Sequence, residues 1–113
     1  MPLRKDINQD IIARLLQFRD ERDWSIYHKP KDLAIALSIE SNELLECFLW
    51  KNDKEACLSD IKEELADVFS YAFLLLQHYQ LDLSEIMQNK IILNEKKYPV
   101  NKTKGNAKKY NQL

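Results

Sequence analysis

Two pairs of carboxylates stand at the spacing that puts side chains on one face of a helix. Glu40 and Glu43 lie in "ESNELLE", and Glu64 and Asp67 lie in "EELAD". At about 100° per residue, the members of each pair are about 60° apart. Their arcs are not polar. Glu40 and Glu43 share theirs with Leu33, Ala36, Leu37, Leu44 and Cys47, while Glu64 and Asp67 share theirs with Ile61, Val68, Tyr71 and Leu75. Glu46 and Glu63 fall towards the margins. Most acid pairs at this spacing are simply solvated, since glutamate is a good helix former. Two pairs on consecutive segments, both on the apolar side, ask for a different account. Each uncompensated carboxylate taken out of water costs several kcal/mol, and a cation held among the four offsets that cost. An all-oxygen donor set suits a hard ion, Mg²⁺ or Mn²⁺, better than zinc. A di-iron centre in a helical bundle would need Glu-x-x-His on two helices. Neither His28 nor His78 stands three residues after a glutamate.

The elements that must position these acids are helices. The chain has one glycine, Gly105, and three prolines, Pro2, Pro30 and Pro99, and no Asn-Gly-type hairpin turn. Between Pro30 and Pro99 nothing breaks a helix, so the fold class is all-α. A first helix is predicted over about Lys5–Glu21, from Ile7, Ile11, Leu15 and Phe18 with Ile12 and Leu16 beside them. "RDWSIYHKP" connects it to a second helix that starts after Pro30, with Asp32 as N-cap, and continues to about Trp50. "KNDKEACLS" is a polar link. Asp60 with Glu63 has capping-box spacing for a third helix reaching about Tyr79, and Asp82 with Glu85 repeats the device for a fourth ending before Pro99. Beyond Pro99 an extended or partly disordered basic tail is expected; the last sixteen residues carry four lysines and no acid. The expected whole is a four-helix bundle in one domain, residues 1–113, with residues 99–113 as the tail.

Bulk properties narrow the class further. With 17 basic and 18 acidic residues, the net charge of −1 gives no reason to expect nucleic acid or a membrane surface as partner. Cys47 and Cys57 make neither a C-x-x-C pair nor a Cys/His cluster, which argues against zinc or a disulfide scaffold and for a reducing compartment. "MPLRKDINQD" is polar and predicts no secretory signal. "SYAFLLLQHY" is far short of the roughly 20 apolar residues a membrane helix needs. A soluble cytoplasmic protein is expected. A chain of 113 residues builds only a thin core. The segment "FSYAFLLL" is apolar on most sides, so a homo-oligomer, dimer or tetramer, is expected to cover it.

The spacing Glu40-x-x-Glu43…Glu64-x-x-Asp67 resembles the E-x-x-E…E-x-x-D signature of the all-α nucleoside triphosphate pyrophosphohydrolases, the MazG-like group. The likeness is nearest to the small dCTP pyrophosphatase branch. It rests on "RDWSIYHKP", "ESNELLECFLW", "EELADVFSY", "DLSEIMQNKIILNEKKYPV" and a final "KKY", and covers about Arg22 to Tyr110. That branch often reads GEVGEL around the first two acids, where this chain has Ile39 and Asn42 at the glycine positions. The resemblance implies an enzyme that uses Mg²⁺ to cleave a nucleoside triphosphate between the α- and β-phosphates. The products would be a nucleoside monophosphate and pyrophosphate. Glu40, Glu43, Glu64 and Asp67 would then be the metal ligands, directly or through water, and Glu40 or Glu43 would orient or deprotonate the attacking water.

The rest of the pocket is less specific in sequence. Lys90, Asn94 and Lys97 recur at i, i+4 and i+7. Such a stripe is usually a solvated face, but the resemblance assigns Lys90 and Asn94 to phosphate contacts. It also places aromatic residues at Trp24, His28, Trp50 and Tyr71 around the nucleotide, although a tryptophan at a helix end is as often ordinary packing. Lys104, Lys108 and Lys109 fit either a flap over the phosphates or a solubilising tail. Cys47, Phe48, Phe69, Phe73 and His78 read as core or interface. Two further readings compete with a dCTP-like substrate: a MazG-like enzyme of broad or modified-nucleotide preference, and a non-catalytic helical module whose acids meet a basic partner. The last predicts no metal dependence and tolerance of Gln or Asn at the four acids.

Overall fold

The computed structural model of the chain describes residues 7–108 and 110–112, and the side chains among them apart from residues 7, 8 and 110. Every regular element in them is helical. The helices are α1 (Ile7–Asp20), α2 (Pro30–Glu46), α3 (Leu58–His78), α4 (Leu83–Lys97) and α5 (Val100–Thr103), with 3₁₀ turns at Trp24–Tyr27 and Tyr110–Gln112. The all-α expectation holds. The chain divides into two compact units, one through Gln80 and one from Leu81.

In the first unit α3 is the shared wall. α2 packs closely along it, and α1 packs on it more lightly. The residues taken out of solvent are Leu33 of α2 and Leu74 and Leu76 of α3. The apolar arcs predicted for α2 and α3 are the ones that meet. Ala36, Leu37, Leu44, Ile61, Val68 and Leu75 are all half-buried, whereas Glu46 and Glu63 are exposed. The second unit contains α4 and α5. Thr103, the last residue of α5, reaches back to the residues before the helix, its hydroxyl donating to the carbonyls of Tyr98 (3.1 Å) and Pro99 (2.7 Å).

The helix ends differ from expectation in instructive ways. Asp82 caps α4 as predicted, its Oδ1 accepting from the Glu85 amide at 3.0 Å. Asp32 does not cap α2. Pro30 itself is the first residue, preceded by Lys29, because proline lacks the amide that an N-terminus leaves unpaired and already has helical φ. Asp60 does not cap α3 either. That helix starts two residues earlier, at Leu58 after Cys57, and leaves Asp60 in its first turn where its charge suits the positive helix end. α2 ends at Glu46, short of Trp50, and a run of turns through residue 50 carries the chain onward. Of the tail expected to be extended or partly disordered after Pro99, Val100–Thr103 forms the short helix α5. The predicted start at Lys5 and the tail residue Lys109 lie outside the described residues.

With a single glycine available, the chain stops its helices with residues that dislike the task. Asp23 (φ 54°), Trp50 (φ 63°) and Gln80 (φ 52°) all adopt left-handed backbone beyond α1, α2 and α3. The position just past a helix usually falls to glycine, because a Cβ there costs roughly 1–2 kcal/mol. Gly105 (φ 75°) takes that conformation after α5.

Candidate metal centre

α2 and α3 run antiparallel, joined by the link that holds Trp50. The groups that feel one another set the register: Cys47 beside Asp60 and Glu64, Glu43 beside Glu64, and Glu40 beside Tyr71 and Asp67. Glu40, Glu43 and Glu64 each offer one carboxylate oxygen such that all three lie within 4.8 Å of one another. Two of these acids carry an oxygen buried and without a hydrogen-bond partner, Oε2 of Glu40 and Oε2 of Glu64. Buried carboxylate oxygens of this kind are otherwise nearly always satisfied.

The electrostatics show the crowding. Burial, then a hydrogen bond and repulsion from Glu43, then the charges of Asp67 and Glu64, push the Glu40 carboxyl up to about 7. Burial and the same neighbour, Glu43, raise Glu64 as well, with Asp67 and Glu63 adding to it. Tyr71 is raised by burial and by the charges of Glu40, Asp67 and Glu43. A carboxyl–carboxyl hydrogen bond needs a shared proton, so the contacts Glu40–Glu43 and Glu64–Glu43 each need a proton of their own. A divalent cation does the same job with two charges. The donor set is all oxygen and two of its lone-pair atoms are unclaimed, so these residues fit a hard divalent ion.

The structure gathers three of the four predicted ligands tightly. Asp67 stands apart: it is exposed and outside the group of three, yet near enough for its charge to act on Glu40, Glu64 and Tyr71. His28 follows the 3₁₀ turn and has its Nδ1 buried without a partner. Its pKa is lowered by burial and by the Arg19 guanidinium, which favours the neutral ring. Trp24 packs edge-on against Phe18 with ring centroids 5.7 Å apart. Trp50 is 99% exposed. Lys90 and Asn94 lie one turn apart on α4 in the second unit, both exposed. Cys47, assigned by sequence to core or interface, proves to be a neighbour of the cluster. Its thiol is raised by burial and by Glu64 and Asp60, against Lys51. The signal was present, since Cys47 stands four residues after Glu43 on the same stripe.

An all-helical chain whose central acids come from E-x-x-E on one helix and E-x-x-D on the next defines a class. The MazG-like family matches over residues 35–113, and the chain belongs to that family. It is 35% identical to dCTP pyrophosphatase 1 of Mus musculus and 33% identical to dCTP pyrophosphatase 1 of Homo sapiens. Each alignment covers 93% of this chain and 66% of the relative, so the chain spans just under two thirds of those proteins' length. Among solved structures, a pyrophosphatase from Archaeoglobus fulgidus superimposes with a TM-score of 0.80 at 34% identity. That match covers 88% of this chain and 98% of the archaeal one.

Proposed function

We propose that this chain is a Mg²⁺-dependent nucleoside triphosphate pyrophosphohydrolase. It would hydrolyse a (d)NTP, with dCTP-like pyrimidine nucleotides foremost, to the monophosphate and pyrophosphate, and so clear surplus or damaged nucleotides. The observation that carries this reading is the pair of buried, unclaimed oxygens on Glu40 and Glu64 inside a three-carboxylate group. The names of the mouse, human and archaeal relatives support the reaction class. Glu40, Glu43 and Glu64 would hold the metal, with Mn²⁺ an acceptable substitute for Mg²⁺, and Asp67 would close the set from the rim. The bound cation would supply charge neutralisation for the triphosphate and for the charge that develops as the anhydride breaks.

The chain's own residues have distinct tasks in this scheme. Glu40 or Glu43 accepts a proton from the attacking water at a carboxylate oxygen. The raised proton affinity of Glu40 suits it to that role near neutral pH. The Trp24, His28, Trp50 and Tyr71 side chains form the slot for the base. A fully exposed indole held on strained backbone, as at Trp50, has most to gain from a stacked ligand. His28, neutral and with Nδ1 unclaimed, can accept a hydrogen bond from an exocyclic amine. Lys90 and Asn94 would contact phosphates on the ground of the family resemblance alone. The chain would act as one domain over residues 1–113, assembled as a dimer or tetramer in a reducing cytoplasm that keeps Cys47 and Cys57 as thiols.

A panel of nucleoside triphosphates with and without Mg²⁺, scored for pyrophosphate against orthophosphate, tests the reading. Pyrophosphate release that requires metal is the expected result. Orthophosphate as first product, or full activity in Glu43→Gln or Asp67→Asn, overturns it.

A further inference from the structure

One buried nitrogen outside the acidic cluster is also without a partner, and the chain around it is arranged to keep it so. Asp23 takes left-handed backbone (φ 54°) just past α1 and turns the chain. The 3₁₀ turn at Trp24–Tyr27 then packs against α1, with Trp24 edge-on to Phe18 at 5.7 Å. The turn closes on His28. Its amide donates to the Ser25 carbonyl at 3.1 Å, and its Nδ1 is buried with no hydrogen-bond partner. The α1 cation whose charge acts on this ring is Arg19. A guanidinium beside a neutral imidazole can ordinarily donate to the bare ring nitrogen. Here Asp20 competes for it: its Oδ1 accepts from Arg19 Nε at 2.9 Å and lies 2.8 Å from Nη2. The Arg19 side chain is only 22% exposed, so its charge is felt while two of its donor nitrogens are engaged elsewhere.

We propose that Arg19 is a positioning residue for base recognition: its guanidinium, tethered to Asp20, keeps His28 Nδ1 a bare acceptor, so that the slot selects bases presenting an exocyclic amine over those presenting a carbonyl. This rests on the reading above that places His28 in the base slot. Arg19 touches no substrate in this scheme and acts only through the ring. Protonation of His28 would set a second cation beside Arg19 and turn Nδ1 into a donor, which suits a carbonyl and repels an amine. Burial first, and the Arg19 charge second, lower the proton affinity of the ring, so the two act in one direction. The other charged groups at this end of α1 are engaged with one another. Arg22 lies 3.8 Å over the Phe18 ring and 3.9 Å from Glu21, and Asp20 is held by Arg19. Lys29, Lys31 and Asp32, next along the chain, are exposed. Cytosine and uracil make the natural comparison, since one carries the amine where the other carries the carbonyl.

Binding of dCMP and of dUMP to the full chain, measured by calorimetry with Mg²⁺ between pH 5 and pH 8, tests it without turnover. The ratio of the two affinities cancels any titration of the acidic cluster, which both nucleotides would meet alike. Wild type should bind dCMP roughly 5-fold more tightly at pH 8, about the worth of one net hydrogen bond. That ratio should hold until the pH falls below 6.5, the ordinary histidine value. Arg19→Gln should keep the ratio at pH 8 but lose it at a higher pH than wild type, leaving it roughly two-fold lower near pH 6. Arg19→Lys, which keeps the charge, should restore the wild-type profile. The imidazole ¹⁵N resonances, assigned with His78→Gln, should show His28 Nδ1 unprotonated at pH 8. Their midpoint should rise in Arg19→Gln and return in Arg19→Lys. An Arg19→Gln profile that overlays the wild type overturns the proposal, as does a selectivity loss that Arg19→Lys shares. So does a protonated Nδ1 at pH 8, a ratio of one there, or no binding of either nucleotide. A chain that shows this selectivity but releases no pyrophosphate from any triphosphate overturns the hydrolase reading alone. One that releases it with no pH-dependent selectivity overturns this inference alone.

Discussion

The two sides of α3 break the rule of amphipathic patterning in opposite directions. Towards α2 it places Glu64 among leucines, where Glu40 and Glu43 meet it within 4.8 Å. Towards α1 it leaves Phe69 half exposed over an apolar groove. One side buries charge and the other bares hydrocarbon, and each is unfavourable for the chain alone. The acidic side fits the hard divalent ion proposed above, and the apolar side is a surface that an oligomer contact would cover. A helix serving only as structure would have had its polar and apolar faces the other way round.

The sharpest way to break this comparison is to neutralise the acidic side. Glu43→Gln or Glu64→Gln removes charge while keeping shape. Each should cost roughly 10²–10³-fold in metal-dependent pyrophosphate release, by analogy with losing one electrostatic contact to a developing charge. The same substitution should leave the metal-free protein as stable as the wild type or more so, because it relieves the repulsion that raises Glu40 and Glu64. Paired activity and thermal-melting measurements check both halves. An acid that serves only the fold would lose stability instead. Asp67→Asn, at the exposed rim, should do less harm to activity than either.

Next in size is a contrast in packing. Leu33→Ala empties a site that is 2% exposed and should cost about 2–5 kcal/mol at any protein concentration. Phe69→Ala should cost much less than that in dilute solution, where the ring is half in water. The gap should narrow as the concentration rises into the range where copies associate. Denaturant midpoints at nanomolar and at tens of micromolar protein distinguish the two residues. A Phe69→Ala cost independent of concentration would place that ring in the chain's own core.

A pH series probes the acidic side without mutation. The Glu40 carboxyl sits at about 7 in the fold against an ordinary 4.5, so between these values the folded chain binds more protons than the unfolded one. Its contribution to stability is complete below about 4.5 and is lost as the pH rises through about 7. Glu64 is shifted in the same direction. The melting temperature in chelator should therefore fall between pH 5 and pH 8. Mg²⁺ competes with those protons, so the increase in melting temperature on adding it should be greater at pH 8 than at pH 5. Equal increases at the two pH values would detach the ion from these carboxylates.

Much of the acidic side was legible in sequence because it obeys a period. Glu40, Glu43, Glu64 and Asp67 recur with the leucines around them, and helical spacing alone puts each pair on an inward arc. The all-α class was legible for a similar reason, since nothing between Pro30 and Pro99 breaks a helix. The helix starts were less so. Asp32 and Asp60 have the chemistry of N-caps, but Pro30 and Leu58 begin the helices before them. An acid in a first turn and an acid at a cap look alike in a string of letters. The groove was not legible, because it depends on how closely α1 approaches α3. Sequence pattern gave the apolar stripe on α1 but not the distance to the neighbouring helix. Asp67 lies between these cases. Its period is right, yet its position one turn along α3 from Glu64 takes it to the solvent rim.

The smallest expected effect concerns the ends of these helices, where two residues share a conformation for different reasons. Gln80 and Trp50 both hold positive φ, after α3 and after α2. At either position glycine would relieve a Cβ penalty of roughly 1–2 kcal/mol while adding up to about 1 kcal/mol of backbone entropy to lose. Gln80→Gly should therefore raise stability by about 0–2 kcal/mol and leave nucleotide turnover unchanged. Trp50→Gly should give a similar small gain in stability, because an indole that is 99% exposed contributes almost nothing to packing. Its cost should appear in KM, since the indole is assigned to the base. Equal kinetics in the two variants would make Trp50 a helix stop like Gln80. A raised KM in Trp50→Gly alone would show that the strain there is kept for the ligand.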